Sequence, residues 1–178
     1  AAIEGVYNGP FWYYLLTIPF VLSGGNPYGS ILMEFVLWAI GGFFLLKTVA
    51  KWSKWLILPV GLVWIASDYI SLTTAYAFNP NPVPLLTPLF IYLLYKYIET
   101  KRVGWGIGAQ ILGGLFFNFE MNFGVFIWPI IFISILIFKR SIFKLKSFWF
   151  SNLFFLLCLL PQAFFEVKHK FIMTSSVM

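Results

Sequence analysis

Ten of the twelve basic residues fall into three short clusters that are separated by long apolar stretches. In membrane proteins, Lys and Arg concentrate in the short loops on the cytoplasmic side. The pattern therefore predicts an integral membrane protein that crosses the bilayer several times, with its basic loops in the cytoplasm. The clusters are Lys47/Lys51/Lys54, Lys96/Lys101/Arg102 and Lys139/Arg140/Lys144/Lys146.

The composition also indicates a bilayer, since 61% of the residues are hydrophobic and only 10% are charged. A net charge of +6 in a soluble protein would favour nucleic acid as the partner. Here the cations flank apolar runs, where they orient the chain and meet anionic headgroups. We therefore expect membrane lipids as partners and no nucleic acid. The lone Cys158 lies in an apolar run, which is typical of a small buried side chain.

The fold class predicted from these runs is all-α: a polytopic helical membrane protein with about six transmembrane helices and one interfacial helix. An even number of spans separates successive basic clusters, so all three clusters fall on one side. We expect one transmembrane domain over residues 1–178. The predicted spans are residues 28–46, 55–74, 84–98, 105–121, 122–138 and 148–165.

Residues 1–27 are predicted to form an outer loop and an interfacial helix. The apolar stretch 11–22 is too short to span, and Trp12, Tyr13 and Tyr14 would lie at headgroup level. The chain begins with Ala1 and ends just after a polar turn, so we expect an internal fragment of a longer membrane domain.

Two acids are predicted inside spans. Glu34 and Asp68 each lie about six residues from the outer end of a helix, roughly 9 Å deep at the rise of an α-helix. An ionisable group at that depth either lines a polar cavity or forms a hydrogen bond between helices. The sequence leaves both interpretations open.

The remaining polar residues lie in the predicted outer segments. Glu120 stands between Asn118 and Asn122, where a carboxylate with flanking amides could orient sugar hydroxyls or help to hold a divalent cation. Asn79 and Asn81 alternate with prolines in a rigid turn. That turn is also consistent with a purely structural role.

The outer tail holds Glu166, Lys168 and His169. Cations there could neutralise a lipid phosphate, or could simply end a helix at the headgroups. The metal-ligand spacings and Gly-rich phosphate loops of soluble enzymes are missing from the sequence.

The chain resembles the GT-C superfamily of membrane glycosyltransferases, specifically the bacterial relatives of dolichyl-phosphate-mannose protein mannosyltransferases and the lipid A aminoarabinose transferase. The motifs that carry the resemblance follow in order. They are Glu4-Gly5-Val6-Tyr7-Asn8-Gly9-Pro10-Phe11-Trp12-Tyr13-Tyr14-Leu15, Gly24-Gly25-Asn26-Pro27, Asn79-Pro80-Asn81, and Pro161-Gln162 with Phe165-Glu166 and His169.

The resemblance implies transfer of a sugar from a polyprenyl-phosphate donor to a protein, lipid or glycan acceptor on the extracytoplasmic face of a bacterial plasma membrane. It places the catalytic acid in a loop before Ala1, so the catalytic residue is unknown in this chain. Two departures are the missing arginine in residues 73–78 and Phe78, which stands where the family has tryptophan. The expected substrate-binding residues are Tyr7, Asn8, Asn79, Asn81, Glu120, Asn122, Glu166, Lys168 and His169.

The alternative function is a membrane transporter or flippase-like carrier. Its translocation path would need polar groups near the bilayer midplane and two related halves. The polar residues instead concentrate toward the outer side and no halves match, which favours the transferase.

Overall fold

A computed structural model of the chain describes residues 11–171, and this part of the chain is helical without any strand. The all-α prediction is confirmed. Short 3-10 segments at Lys54–Leu56 and Arg140–Lys144 precede α3 and α8. The helices are α1 Phe11–Leu22, α2 Tyr28–Val49, α3 Ile57–Ala66, α4 Asp68–Thr73, α5 Pro82–Thr100, α6 Val103–Phe119, α7 Met121–Phe138 and α8 Lys146–Lys168.

Three helices are long and apolar enough to cross a bilayer, namely α2, α7 and α8. Three shorter apolar helical segments, Phe11–Leu22, Lys54–Ala66 and Val103–Phe119, accompany them. The predicted segments 28–46, 84–98, 122–138 and 148–165 each lie within one helix of the structure. These helices support a membrane-embedded protein, while the number of spans stays a prediction.

The predicted span 55–74 is not one continuous helix, because the helix breaks at Ser67. The backbone of Ser67 is extended, and its hydroxyl oxygen accepts a hydrogen bond from the Ile70 N–H at 3.4 Å. A serine that caps a new helix in this way ends the preceding one. Asp68 is therefore the exposed first residue of α4, where a carboxylate interacts favourably with the helix dipole. That the segment 55–74 crosses the bilayer stays a prediction.

Helix α1 has the predicted bounds and ends in two glycines with positive φ, Gly24 at 68° and Gly25 at 85°. The Gly25 N–H donates to the Phe20 carbonyl at 2.9 Å, which closes the helix. Tyr13 is 55% exposed, whereas Trp12 is fully buried within the protein. The position of these side chains at headgroup level stays a prediction.

The contacts divide the described chain into two compact units. The N-terminal unit comprises residues 13–95, and the C-terminal unit comprises Trp12 with residues 96–171. Helix α5 contributes its first fourteen residues to the N-terminal unit and its last five to the other. The expected single domain stays a prediction.

In the N-terminal unit, α2 packs closely against α5 and α3 through small residues. A Cβ at Gly41 would collide with the backbone carbonyl of Leu85, and one at Gly42 would lie 2.7 Å from Nε1 of Trp64. Glycine at these positions lets helix backbones approach each other, as is common in membrane proteins.

In the C-terminal unit, α6 and α8 run parallel. Hydrogen bonds join Gln110 to Asn152 and Asn118 to Cys158, so contacts advance in the same direction along both helices. Gly114 allows the close approach, since a Cβ there would lie 2.6 Å from that of Cys158. Helix α7 returns the chain between them. The end of α6 and the last third of α8 therefore lie at the same end of this unit.

Candidate functional site

The N-terminal unit buries a cluster of polar residues around the Asn-Pro turn between α4 and α5. This polar cluster is at most 6% exposed at every position, although it sits among apolar helices. Buried polar groups of this kind need hydrogen-bond partners or a functional reason. The polar cluster consists of Glu34, Thr73, Thr74, Asn79 and Asn81.

The turn itself is fixed by Asn81. The two N–H groups of its side-chain amide donate to the Thr73 carbonyl at 2.8 Å and to the Tyr76 carbonyl at 2.6 Å. Its backbone N–H donates to the Phe78 carbonyl at 3.0 Å. Because Pro80 also fixes the backbone, the turn is rigid and Asn79 is held in one place beside it.

Glu34 lies where the sequence places it, six residues into α2, and it is completely buried. Its carboxyl group faces the Asn81 side chain and the backbone of Phe78. Neither carboxyl oxygen completes a hydrogen bond of ordinary geometry with any residue of the described range. Glu34 and Asp68 therefore have different environments, since Glu34 is completely buried and Asp68 is exposed.

Glu120 forms the junction between α6 and α7 in the C-terminal unit. Its backbone is extended, its N–H donates to the Phe116 carbonyl at 2.9 Å and its carbonyl accepts from Gly124 N–H at 2.8 Å. Both backbone hydrogen-bonding groups of Glu120 are thus satisfied. The side chain of this half-buried residue has no hydrogen bond or ion pair with another residue between 11 and 171. Asn122, two residues further along the chain, is exposed.

The same junction is covered by the start of α1. The Trp12 ring packs edge-on against Phe119, with ring centroids 5.5 Å apart. The Trp12 indole N–H is buried and has no acceptor among the described residues. Trp12, which belongs to the motif that carries the family resemblance, thus packs against the residue that precedes Glu120.

The predicted tail lies at the same end of the unit, because α8 runs parallel to α6 and continues past it. Asn118 is level with Cys158, so the stretch from Glu166 to His169 projects beyond the α6–α7 junction. Glu166 is half-buried and Lys168 is exposed. The His169 ring stacks on Phe165 with centroids 4.3 Å apart, which fixes its direction.

The expected site residues are therefore divided between the two units. Asn79 and Asn81 belong to the N-terminal unit, whereas Tyr7 and Asn8 lie outside the described residues. No group of three or more His, Cys, Asp or Glu suited to a metal occurs within residues 11–171. The C-terminal unit brings the other five to one end: Glu120, Asn122, Glu166, Lys168 and His169.

Sequence reasoning missed a second polar group, in the C-terminal unit. The Asn152 side-chain oxygen accepts hydrogen bonds from Gln110 Nε2 at 3.1 Å and from Trp128 Nε1 at 2.9 Å. Three helices are joined by this one oxygen, which is a structural role. The sequence signal that could have identified this group is a single amide side chain within an apolar run, Gln110 in α6 and Asn152 in α8.

Comparison with known protein families finds a match. Residues 8–165 match the family described as dolichyl-phosphate-mannose-protein mannosyltransferase. No curated protein and no solved structure matches the chain. The matched range includes residues of both units and favours the transferase over the carrier. The chain belongs to the dolichyl-phosphate-mannose-protein mannosyltransferase family and is an integral membrane protein of the glycosyltransferase class.

Proposed function

We propose that the protein transfers a sugar from a polyprenyl-phosphate donor to a hydroxyl group of a protein, lipid or glycan acceptor on the extracytoplasmic face. The observation that carries the proposal is the family match over residues 8–165. The description of the family names mannose on dolichyl phosphate, a lipid phosphate, as the donor. An apolar helical protein is suited to binding a lipid-linked donor.

The reaction needs three functions from the protein. The acceptor oxygen attacks the anomeric carbon, the bond from that carbon to the phosphate oxygen breaks, and the proton of the acceptor moves to a base. The base is expected in the segment before Ala1. Residues 11–171 would then supply positioning of the reactants and stabilisation of the departing phosphate.

Glu120 is the residue to which we assign orientation of the sugar or the acceptor. Its side chain has no partner in the described chain, so its carboxylate is available to accept hydrogen bonds from a ligand. The buried Trp12 packs against the adjacent Phe119, so the surroundings of Glu120 are packed in place. Asn122, the second residue of α7, offers an exposed amide with donors and an acceptor.

Lys168 and His169 are assigned to the lipid phosphate, with Glu166 beside them. They project beyond the Glu120 junction at the same end of the C-terminal unit, where cations can form charge-assisted hydrogen bonds to phosphate oxygens. In the N-terminal unit, Asn81 would hold the Asn-Pro turn and Asn79 would present its amide to substrate. Tyr7 and Asn8 are retained as substrate-binding residues by resemblance.

The test uses the full-length protein in membranes with mannosyl polyprenyl phosphate and measures transfer of labelled sugar to an acceptor fraction. We expect Glu120→Ala to lower turnover about a hundredfold, because loss of a positioning group has effects of that order. Glu99→Gln is the matched control, since Glu99 forms an exposed ion pair with Lys96 and should leave turnover unchanged.

Both variants must insert and purify like the wild type. Normal turnover in Glu120→Ala would remove Glu120 from the site and leave the transferase class intact. A full-length wild type that binds the donor and yields no sugar-labelled product with any acceptor class would contradict the transferase itself.

A further inference from the structure

The C-terminal unit carries an apolar groove where α7, the 3-10 segment and the start of α8 meet. The groove has a volume of about 360 Å³ and is lined only by Phe132, Ile133, Leu136, Phe143 and Trp149. This volume is within the usual range for a small-molecule site. Ile133, Leu136 and Trp149 are about half exposed, so the groove is open along its length.

The walls of the groove are fixed by aromatic packing. The Phe132 ring lies 5.1 Å from that of Phe143 and 5.4 Å from that of Phe148. The Trp149 indole N–H donates to the Phe143 carbonyl at 3.0 Å, which sets the tilt of the Trp149 ring. The groove is therefore a built feature of the fold.

The third basic cluster is close to this groove along the chain. Arg140 Nε donates to the carbonyl of Leu136, a groove residue, at 3.2 Å. Phe143 lies in the same 3-10 segment as Lys144, and Trp149 follows Lys146 by less than one helical turn. The groove is thus apolar, and basic residues adjoin the segments that form its walls.

These four cations have no acidic partner. The sequence contains no Asp or Glu between Glu120 and Glu166. Among the described residues, Lys139, Arg140, Lys144 and Lys146 form no ion pair. Four unneutralised charges beside a wholly apolar groove match a ligand that has an anionic head and a hydrocarbon chain.

The other basic clusters differ in this respect. Lys47 and Lys51 lie over aromatic rings, with Lys51 Nζ 4.6 Å from the centroid of Tyr95. In the second cluster, Lys96 pairs with Glu99 at 2.6 Å. The positive charge of those clusters is partly balanced by an acid or by aromatic rings, whereas the third cluster has no such partner among the described residues.

We propose that this groove is a binding site for an anionic phospholipid, with one acyl chain against Phe132, Leu136 and Trp149 and the phosphate at the basic cluster. Basic pockets between transmembrane helices recognise anionic headgroups in this way. The site does not depend on the proposed transfer reaction, because none of its residues belongs to the candidate functional site.

The experiment uses quenching of tryptophan fluorescence by brominated acyl chains. The full-length protein is reconstituted in phosphatidylcholine vesicles that contain a rising fraction of either brominated phosphatidylglycerol or brominated phosphatidylcholine. Subtracting the signal of Trp149→Phe isolates the quenching at the groove. We expect half-maximal quenching at a much lower fraction of the anionic lipid than of the neutral one.

The charge dependence is tested by Lys144→Gln combined with Lys146→Gln. The fraction of anionic lipid needed should rise about 25-fold, since each cation contributes roughly a fivefold preference. The single variant Lys144→Gln, with an expected fivefold change, keeps the test usable if the double variant does not insert. Lys47→Gln with Lys51→Gln is the matched control and should leave Trp149 quenching unchanged.

Equal quenching by the anionic and neutral lipids would overturn the proposal, as would a double variant that quenches like the wild type. Polyprenyl phosphate is added in competition over a range of mole fractions, from far below that of the phosphatidylglycerol up to an equal amount. Displacement of the brominated phosphatidylglycerol by a much smaller fraction of polyprenyl phosphate would also overturn it, and would assign the groove to the donor lipid.

Discussion

Asn152 in the C-terminal unit and Glu34 in the N-terminal unit are both buried polar residues, but their hydrogen bonding differs. The Asn152 side-chain oxygen accepts hydrogen bonds from Gln110 at 3.1 Å and from Trp128 at 2.9 Å. In the N-terminal unit, the fully buried Glu34 faces Asn81 without a completed hydrogen bond to a described residue. Both groups lie in apolar helices, where an unsatisfied polar atom is costly.

The difference separates polar residues that hold helices together from one that does not. Amides that bridge helices are a common means of association in membranes. A carboxyl group that lacks such bonds contributes little to the stability of the fold. The presence of Glu34 therefore indicates a purpose other than stability. Mutation of each group should therefore have opposite consequences.

The largest effect is expected at the contact that brings α6 and α8 together. Gly114→Leu would force a side chain against Cys158 Cβ and the Phe155 carbonyl, and should destabilise the C-terminal unit by about 3 kcal/mol. Gly104→Leu is the control, because a Cβ there meets nothing within 4 Å. The thermal midpoint in detergent measures both. Equal midpoints for the two variants would show that the α6–α8 contact does not limit stability.

An intermediate effect distinguishes Asn152 from Glu34. Asn152→Leu leaves Gln110 and Trp128 donors without their acceptor and should cost about 1–3 kcal/mol. Glu34→Leu removes a buried carboxyl with no completed hydrogen bond, so the thermal midpoint should stay the same or rise slightly. A midpoint for Glu34→Leu that falls as far as that of Asn152→Leu would mean that both polar groups are structural.

A smaller loss of stability than that of Asn152→Leu is expected at Asn118. Its amide donates to the Gly114 carbonyl at 3.0 Å and to the Cys158 carbonyl at 2.7 Å, but its own oxygen is buried without a partner in the described chain. Asn118→Leu loses the donors and also removes that orphan acceptor. The net change should be about 0.6 kcal/mol, the average for such bonds in a membrane protein. A fall in the midpoint like that of Asn152→Leu would contradict this offset.

Local sequence signals predicted the helices well. The turn residues Ser23 to Pro27 and the glycines among them gave the end of α1, and apolar length gave α7 and α8. Ser67 was overlooked because a single serine in an apolar run is common, whereas its capping hydrogen bond to Ile70 appears only when the backbone bends. The break between α3 and α4 and the exposed position of Asp68 follow from that one residue.

Contacts between distant residues explain what the sequence could not provide. The packing of the helices determines that Glu34 faces Asn81 and that Trp12 contacts Phe119. Hydropathy gives the same predicted position, at headgroup level, to Trp12, Tyr13 and Tyr14. Only the packing of the helices shows that Trp12 is buried while the two tyrosines are exposed. The site assignments on Glu120 and on the α8 tail therefore stay predictions, although parallel packing of α6 and α8 brings these residues to one end.

That parallel packing has an electrostatic consequence. Two helices pointing the same way place their positive dipole ends together, at the N-cap residue Arg102 of α6 and the first residue Lys146 of α8. A cation at such an end is unfavourable by a few tenths of a kcal/mol, and neither helix has a side-chain cap there. The free N–H groups and the nearby cations thus both contribute positive electrostatic potential at this end of the unit. We therefore expect this end to attract anions more strongly than the charged side chains alone would.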